Sequence, residues 1–231
     1  MTHCPLCVIP AAGLGTRMGD LCKGVPKGLL EVNGKPIIRH VYDFWEPMVD
    51  QIVVVTGKDD LGFLKALPAH WGSDHLRFVV QSEPRGVPDA ILCALAAVRC
   101  PRRFMVVLGD CLFRGTFDFD GAALGYWPMG MAVQQPTGND WERSYSVVVE
   151  GQGAPDFESP FITSVSEKPG HGLGAYWMGW EALRYLEVYH DRSITEVYAW
   201  MLRDGFRVRP VPFSGEYLNV TYSEDLKRWK G

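Results

Sequence analysis

Val8-Ile9-Pro10-Ala11-Ala12-Gly13-Leu14-Gly15-Thr16-Arg17-Met18 is followed, a few residues on, by Pro26-Lys27-Gly28-Leu29-Leu30. A short apolar strand runs out into a loop of small residues that carries one Arg, and one Lys comes after it. Backbone without Cβ atoms can approach a ligand closely, and its N–H groups can point at anionic oxygens. Two cations beside such a loop, Arg17 and Lys27, suit a polyphosphate. The stretch therefore reads as a nucleoside triphosphate site at the end of a first strand. Spacing argues against two better-known glycine loops. A dinucleotide fingerprint needs Gly-x-Gly-x-x-Gly, and Gly19 falls one residue late, with no acidic residue closing the second strand. The Gly-Lys-Ser/Thr of a P-loop is absent.

Outward from this stretch, Leu6–Pro10, Gln51–Thr56, Leu76–Gln81 and Phe104–Leu108 are short and almost continuously apolar, as strands covered on both faces are. Helical patterns at Ile37–Trp45, Asp59–Leu67 and Val87–Val98 lie between them. This alternation predicts an α/β chain of βαβ units with a parallel sheet, and ligands of such sheets gather beyond the strand ends. Those ends are Gly13–Arg17, Thr56-Gly57-Lys58, Gln81–Gly86 and Gly109-Asp110. After Cys111 the texture becomes aromatic, Gly-rich and Pro-rich. Strands are expected at Ser144–Glu150, Phe161–Ser166, Ala175–Trp180 and Phe206–Pro212, with a surface turn region over Gly151–Ser159. Helices are expected at Glu181–His190, at Ser193–Asp204 with Ser193 as N-cap and Gly205 as C-cap, and in a last amphipathic stretch from Ser223. One domain spanning 1–231 is the reading, with a nucleotide-binding half at 1–111 and an acceptor-binding half at 112–231.

A net charge of −4 argues against bulk binding to nucleic acid or an anionic membrane, both of which need a large basic surface. No run approaches the ~18 apolar residues of a membrane span, and no secretory signal is visible at the N-terminus. Six cysteines in a chain of 231 residues read as reduced thiols of a cytoplasmic protein. Cys4-Pro5-Leu6-Cys7, next to His3, has CxxC spacing but no second pair to complete a zinc site.

On these residues the chain resembles the sugar-1-phosphate nucleotidyltransferases, or nucleoside-diphosphate-sugar pyrophosphorylases. Their signature Gly-x-Gly-Thr-Arg, then Pro-Lys-x-Leu-Leu and a later Pro, stands here as Gly13–Met18 and as Pro26–Leu30 through Pro36. The resemblance runs to the C-terminus and implies a GT-A-like, Rossmann-like three-layer sandwich. It implies a mostly parallel mixed central sheet, a smaller acceptor-binding sheet region, and the short form without a β-helix domain. It places Ala11, Ala12, Gly13, Gly15 and Thr16 around the nucleotide, and Arg17 and Lys27 on its phosphates. The Gln81 amide falls at the edge of the base with Gly86 beside it, a pattern more like the pyrimidine-using members. The family's Gly-Thr-Ala reads Gly86-Val87-Pro88 here, so one hydroxyl contact is missing. Asp110 and Asn219 correspond to the Mg²⁺ ligands. Glu167-Lys168-Pro169 supplies a carboxylate for acceptor hydroxyls and a Lys for the acceptor phosphate. Where many sugar-using members have a polar residue, this chain has Tyr176-Trp177. Those two rings, with Trp127, Trp141 and Tyr145, are candidates to line an acceptor pocket.

The implied reaction joins an NTP to a sugar 1-phosphate, giving an NDP-sugar and pyrophosphate. The attacking phosphate is already ionised, so cations are needed and a general base is not, which fits catalytic roles for Arg17, Lys27, Asp110 and Lys168. A rival of the same chemistry is a cytidylyltransferase for phosphocholine or another small phosphorylated alcohol, since aromatic rings also suit a quaternary ammonium. A rival of another class is a silent nucleotide-sugar-binding regulatory subunit. An NAD-dependent dehydrogenase is disfavoured by the glycine spacing. An oligomer is compatible with the sequence.

Overall fold

Adjacent residues of the runs at Leu6–Pro10, Gln51–Thr56 and Phe104–Leu108 are buried on opposite faces of one sheet, which is why they read as unbroken apolar runs, whereas Leu76–Gln81 lies at the sheet edge with Arg77 and Val80 exposed. The computed structural model describes residues 4–58, 62–67, 75–99, 101–119, 129–134, 145–150, 161–169 and 172–229. Expectations for Trp127, Trp141, Cys100 and the 151–159 turn lie outside the described residues, as do those for the side chains of Tyr145, Glu167 and Lys168.

In chain order the strands are β1 (Cys7–Pro10), β2 (Glu31–Val32), β3 (Lys35–Pro36), β4 (Ile52–Gly57), β5 (Leu76–Gln81) and β6 (Arg103–Val107). They continue as β7 (Cys111–Phe117), β8 (Gly130–Gln134), β9 (Tyr145–Glu150), β10 (Phe161–Pro169), β11 (Gly172–Gly179) and β12 (Arg209–Asn219). The described α-helices are α1 (Ile37–Trp45), α2 (Gly62–Ala66), α3 (Val87–Ala97), α4 (Leu183–Val188) and α5 (Ile194–Arg203). The main sheet runs β5-β4-β1-β6-β11-β8-β12-β7, and β9 and β10 are attached beside β11. From β5 to β6 every pairing is parallel, with β1 held between β4 and β6. Beyond β6 the sheet is mixed: β11 is antiparallel to β6 and β8, β12 parallel to β8, and β7 antiparallel to β12. This is the α/β architecture, with a mostly parallel first half, that the sequence pattern predicts.

Side chains divide by parity. Cys7 and Ile9 of β1, Ile52 and Val54 of β4, and Met105 and Val107 of β6 pack with α1 on one face. Val8, Val53, Val55, Phe104 and Val106 pack with α3, α4 and α5 on the other. Helix α5 is closed as expected. Ser193 Oγ accepts from the Glu196 N–H at 3.1 Å, and the Ser193 N–H donates to Glu196 Oε2 at 3.0 Å. Burial pushes the Cys4 thiol up to about 11 and the Cys7 thiol well above its ordinary value, so both stay protonated core residues.

Three expectations are corrected. Tyr176 and Trp177 do not line a pocket: β11 lies inside the sheet, where they pair with Val106 and Met105 of β6, and they are only 1% and 7% exposed. The Tyr176 ring sits against Tyr198, and Trp177 packs edge-on to Trp45, Phe117 and Phe119. A strand covered on both faces buries large rings that in sequence look like a binding wall. Second, the strand expected at Phe206–Pro212 begins at Arg209 and continues to Asn219, because β7 supplies a second partner from Phe213 onward. Third, the last amphipathic helix is only a 3₁₀ turn, Ser223–Lys227. The fully buried Asp225 carboxylate accepts from the Thr221 and Tyr222 N–H groups at 2.8 Å each and folds the chain back on itself.

Truncating either ring creates a large cavity. Tyr176→Ala and Trp177→Ala are each expected to lose about 3–5 kcal/mol of stability. Urea denaturation checks this, and a loss below about 1 kcal/mol would place the ring at the surface.

Candidate active site

Parallel strands deliver their carboxyl ends to one edge of the sheet, and the glycine loop leaves β1 at that edge. Ala11 continues the ladder, its N–H donating to the Val55 carbonyl at 2.8 Å. Gly15 then turns the chain at φ +61°. A Cβ at Gly15 would lie 2.6 Å from Cys22 Sγ and 3.2 Å from Lys27 Cβ. The position therefore needs glycine for both its dihedral and its close approach. Thr16–Cys22 follows as a 3₁₀ segment broken at Gly19, and Lys27–Leu29 forms a second 3₁₀ turn under the loop.

Across from this loop, β6 runs out into Leu108-Gly109-Asp110. The Gly109 N–H donates to the Pro10 carbonyl at 3.2 Å, and a Cβ there would meet that carbonyl oxygen at 2.8 Å. The two strand ends are thus locked together, which carries Asp110 to within reach of Lys27. Lys27 Nζ donates to Asp110 Oδ2 at 2.5 Å, a contact between residues 83 apart in sequence. Both side chains are largely shielded, at 16% and 32% exposure. A part-buried cation and carboxylate at this distance neutralise each other, so removing either leaves the other poorly solvated.

The loop, the strand ends and the start of α3 enclose a cavity of about 380 Å³. Its wall includes Ala11, Ala12, Gly13, Thr16, Lys27, Gln81, Gly86 and Asp110, so eight of the predicted residues from four separate segments meet here. A neighbouring cavity of about 290 Å³ shares Ala12, Gly13, Leu14, Gln81 and Pro84 with the first. It adds Lys58 at the end of β4, a cation not singled out from the sequence beyond its strand-end position. Gln81 stands between the two cavities and is 5% exposed. Its Nε2 donates to Asp89 Oδ2 at 2.6 Å and to the Gly86 carbonyl at 3.2 Å.

Other predicted residues fall outside the cavity wall. Arg17 is exposed on the 3₁₀ segment. Asn219 pairs with Cys111 at the end of β12, and the Val220 N–H donates to the Asp110 carbonyl at 2.9 Å, so its backbone adjoins Asp110. Asn219 Oδ1 accepts from Thr221 Oγ1 at 3.2 Å. Glu167 and Lys168 lie in β10 where its register against β9 shifts between Ser166 and Pro169, an irregularity of the kind that accompanies functional sites. Two thiols flank the site. Burial holds Cys111 well above its ordinary value, an effect that neighbouring Asp110 reinforces; burial also raises Cys22, against a smaller opposing pull from Lys27. Neither is poised as a nucleophile, since the reactive form is the thiolate.

Residues 7–117 match the family model of the MobA-like NTP transferase domain. The UTP–glucose-1-phosphate uridylyltransferase AglF of Haloferax volcanii is 32% identical over 232 aligned positions, covering 94% of this chain and 92% of that protein. The chain belongs to the sugar-1-phosphate nucleotidyltransferase family. It is therefore a nucleotidyltransferase. The bifunctional protein GlmU of Methanococcus vannielii is 31% identical over 106 residues, which is 46% of this chain but only 24% of that longer protein. A UDP-glucose pyrophosphorylase from Acinetobacter baumannii has the same GT-A-like fold, with a TM-score of 0.77 at 22% identity over 96% of this chain and 90% of that one. Among the described residues no helix is long and apolar enough to cross a membrane.

The loop geometry generates a direct test. In Gly15→Ala the left-handed dihedral costs about 1–2 kcal/mol, and the new methyl group displaces Cys22. The variant is expected to bind nucleoside triphosphate at least about tenfold more weakly, as read by equilibrium titration.

Proposed function

We propose that this nucleotidyltransferase joins a uridine or thymidine triphosphate to a sugar 1-phosphate of the glucose type, giving the NDP-sugar and pyrophosphate. The observation that carries this reading is the Lys27–Asp110 pair set into the wall of the glycine-loop cavity. It puts a cation and a hard oxygen ligand side by side where a bound triphosphate would lie. The AglF relative, matched over nearly its whole length, supports UTP and glucose 1-phosphate as the first substrates to try. The nucleotide half, 1–111, supplies this cavity, and we assign the acceptor to 112–231.

In the proposed reaction an acceptor phosphate oxygen forms a bond to the α-phosphorus. The bond from that phosphorus to the bridging oxygen breaks on the opposite side, and pyrophosphate leaves with the electron pair. No proton has to be removed from the nucleophile, in keeping with cations as the working groups. Ala12, Gly13 and Thr16 line the phosphate path, Lys27 neutralises charge at the α-phosphate, and Arg17 takes the outer phosphates. Lys168 orients the incoming phosphate and Glu167 an acceptor hydroxyl.

Asp110 and Asn219 are the residues for Mg²⁺. A carboxylate and an amide oxygen are the hard donors this ion takes, with waters and substrate phosphates completing its shell. The Asp110 carboxylate already holds the Lys27 ammonium, which supports reading it as an acceptor for a cation. Among the described residues there is no cluster of three or more His, Cys, Asp or Glu to hold a metal without substrate. Bound there, the ion would neutralise charge developing on the phosphates. Free thiols at the five described cysteines support a cytoplasmic setting.

Pyrophosphate release, measured for UTP, dTTP, CTP and GTP against glucose 1-phosphate, other sugar 1-phosphates and phosphocholine, decides the reading. Turnover only with phosphocholine would replace it. Lys27→Ala and Asp110→Ala are each expected to lose at least ~10²-fold in kcat, and wild-type turnover in either would refute their roles. Asp110→Asn is expected to recover part of its loss at raised Mg²⁺, and a response independent of Mg²⁺ would argue against ligation by Asp110.

A further inference from the structure

The side-chain amide of Gln81 is held in one orientation by the protein. Its nitrogen faces two groups that can only accept hydrogen bonds, the Asp89 carboxylate at 2.6 Å and the Gly86 carbonyl at 3.2 Å. Amide oxygen and nitrogen are nearly identical in shape, so the hydrogen-bond partners alone decide which way such a group points. Here turning the amide over would set its oxygen against a carboxylate and a carbonyl. Both Nε2 hydrogens are used by these contacts. Gln81 Oε1 takes no hydrogen bond from the described residues, and it is not among the buried polar atoms left without a partner. It is thus the face of the amide open to the cavities that Gln81 borders.

We infer that Asp89 is a specificity-determining positioning residue: it fixes Gln81 so that only an acceptor oxygen is offered to the nucleobase, which selects a base bearing an imide N–H. The inference rests on the reading of this cavity as a nucleotide site and deepens it. Uracil and thymine carry a hydrogen on ring position 3, which Oε1 accepts. Cytosine carries a lone pair at the same position, and two acceptors facing each other in a partly desolvated pocket repel. A freely turning Gln would read both bases, nitrogen to one and oxygen to the other. The selection therefore comes chiefly from Asp89, the shorter and charged of the two contacts, which is not part of the wall of either cavity. Its place in the first turn of α3 also makes it an ordinary helix-stabilising carboxylate. Base selectivity separates the two roles, since a helix-stabilising role affects every nucleotide alike. Cys93 Sγ, 4.0 Å from the same Asp89 Oδ2, adds a weak thiol donor.

The test is equilibrium titration of the full chain with UTP and with CTP, each with Mg²⁺ and without any sugar phosphate, for wild type, Asp89→Asn, Asp89→Ala and Asp89→Glu. Wild type is expected to hold UTP about tenfold or more tightly than CTP, the scale of one hydrogen bond gained against one repulsion. In Asp89→Asn the new amide can donate as well as accept, which leaves only the longer contact to the neutral Gly86 carbonyl to oppose turning, so Gln81 can turn. The preference is expected to fall to about threefold or less, as it is in Asp89→Ala. Asp89→Glu keeps an acceptor-only partner and is expected to retain most of the preference, which guards against loss of folding as the cause. Equal weakening of both nucleotides with the preference intact in Asn and Ala variants would overturn the inference, as would a wild type that binds CTP as well as UTP. A tenfold preference that Asp89→Asn abolishes, in a chain that releases no pyrophosphate with any sugar phosphate, would sustain the inference and sink the transfer reaction. A wild type binding neither nucleotide would sink both.

Discussion

Everything at the candidate site depends on β1 being held between β4 and β6 in parallel register. Parallel neighbours end on the same edge, so the glycine loop, Lys58, Gln81 and Asp110 arrive together although they span the first 110 residues. The register is stable because both faces of these strands are buried, with alternate side chains committed to separate cores. A slip by one residue would exchange the two cores, and the different shapes of the α1 and α3 faces would no longer be filled.

Within that frame a few close approaches set the chemistry. Gly109 allows the β6 end to touch the Pro10 carbonyl, and Gly15 lets the loop lie on Cys22 and Lys27. These contacts turn two distant segments into an ion pair of opposite charges beside an open cavity. The same principle operates at Gln81. The Gln81 amide is ordered by a carboxylate in the first turn of α3 and not by any ligand. Preorganised charges and dipoles of this kind cost no reorganisation when a substrate binds.

The aromatic second half carries a different lesson. Tyr176 and Trp177 look in sequence like a wall for a sugar or an ammonium group, because rings near Gly-rich turns often are. Their burial follows from β11 lying between β8 and β6, the latter pairing joining Tyr176 to Val106 far upstream, which no local pattern announces. The same holds for β12, whose length depends on finding β7 as a second partner, and for the final turn, where Asp225 captures two backbone N–H groups.

By itself the sequence determined the strand–helix alternation and the glycine loop with the cations Arg17 and Lys27 beside it, since strand burial, glycine freedom and fixed charges are properties of short segments. It also marked Gln81 as a base reader through the family resemblance. Tertiary structure alone decided that Lys27 meets Asp110, that Asp89 orients Gln81, and that Tyr176 and Trp177 belong to the core. The physical reason is common to all three. Each depends on the distance between groups brought together by sheet order, and a one-dimensional pattern carries burial and propensity but not that distance.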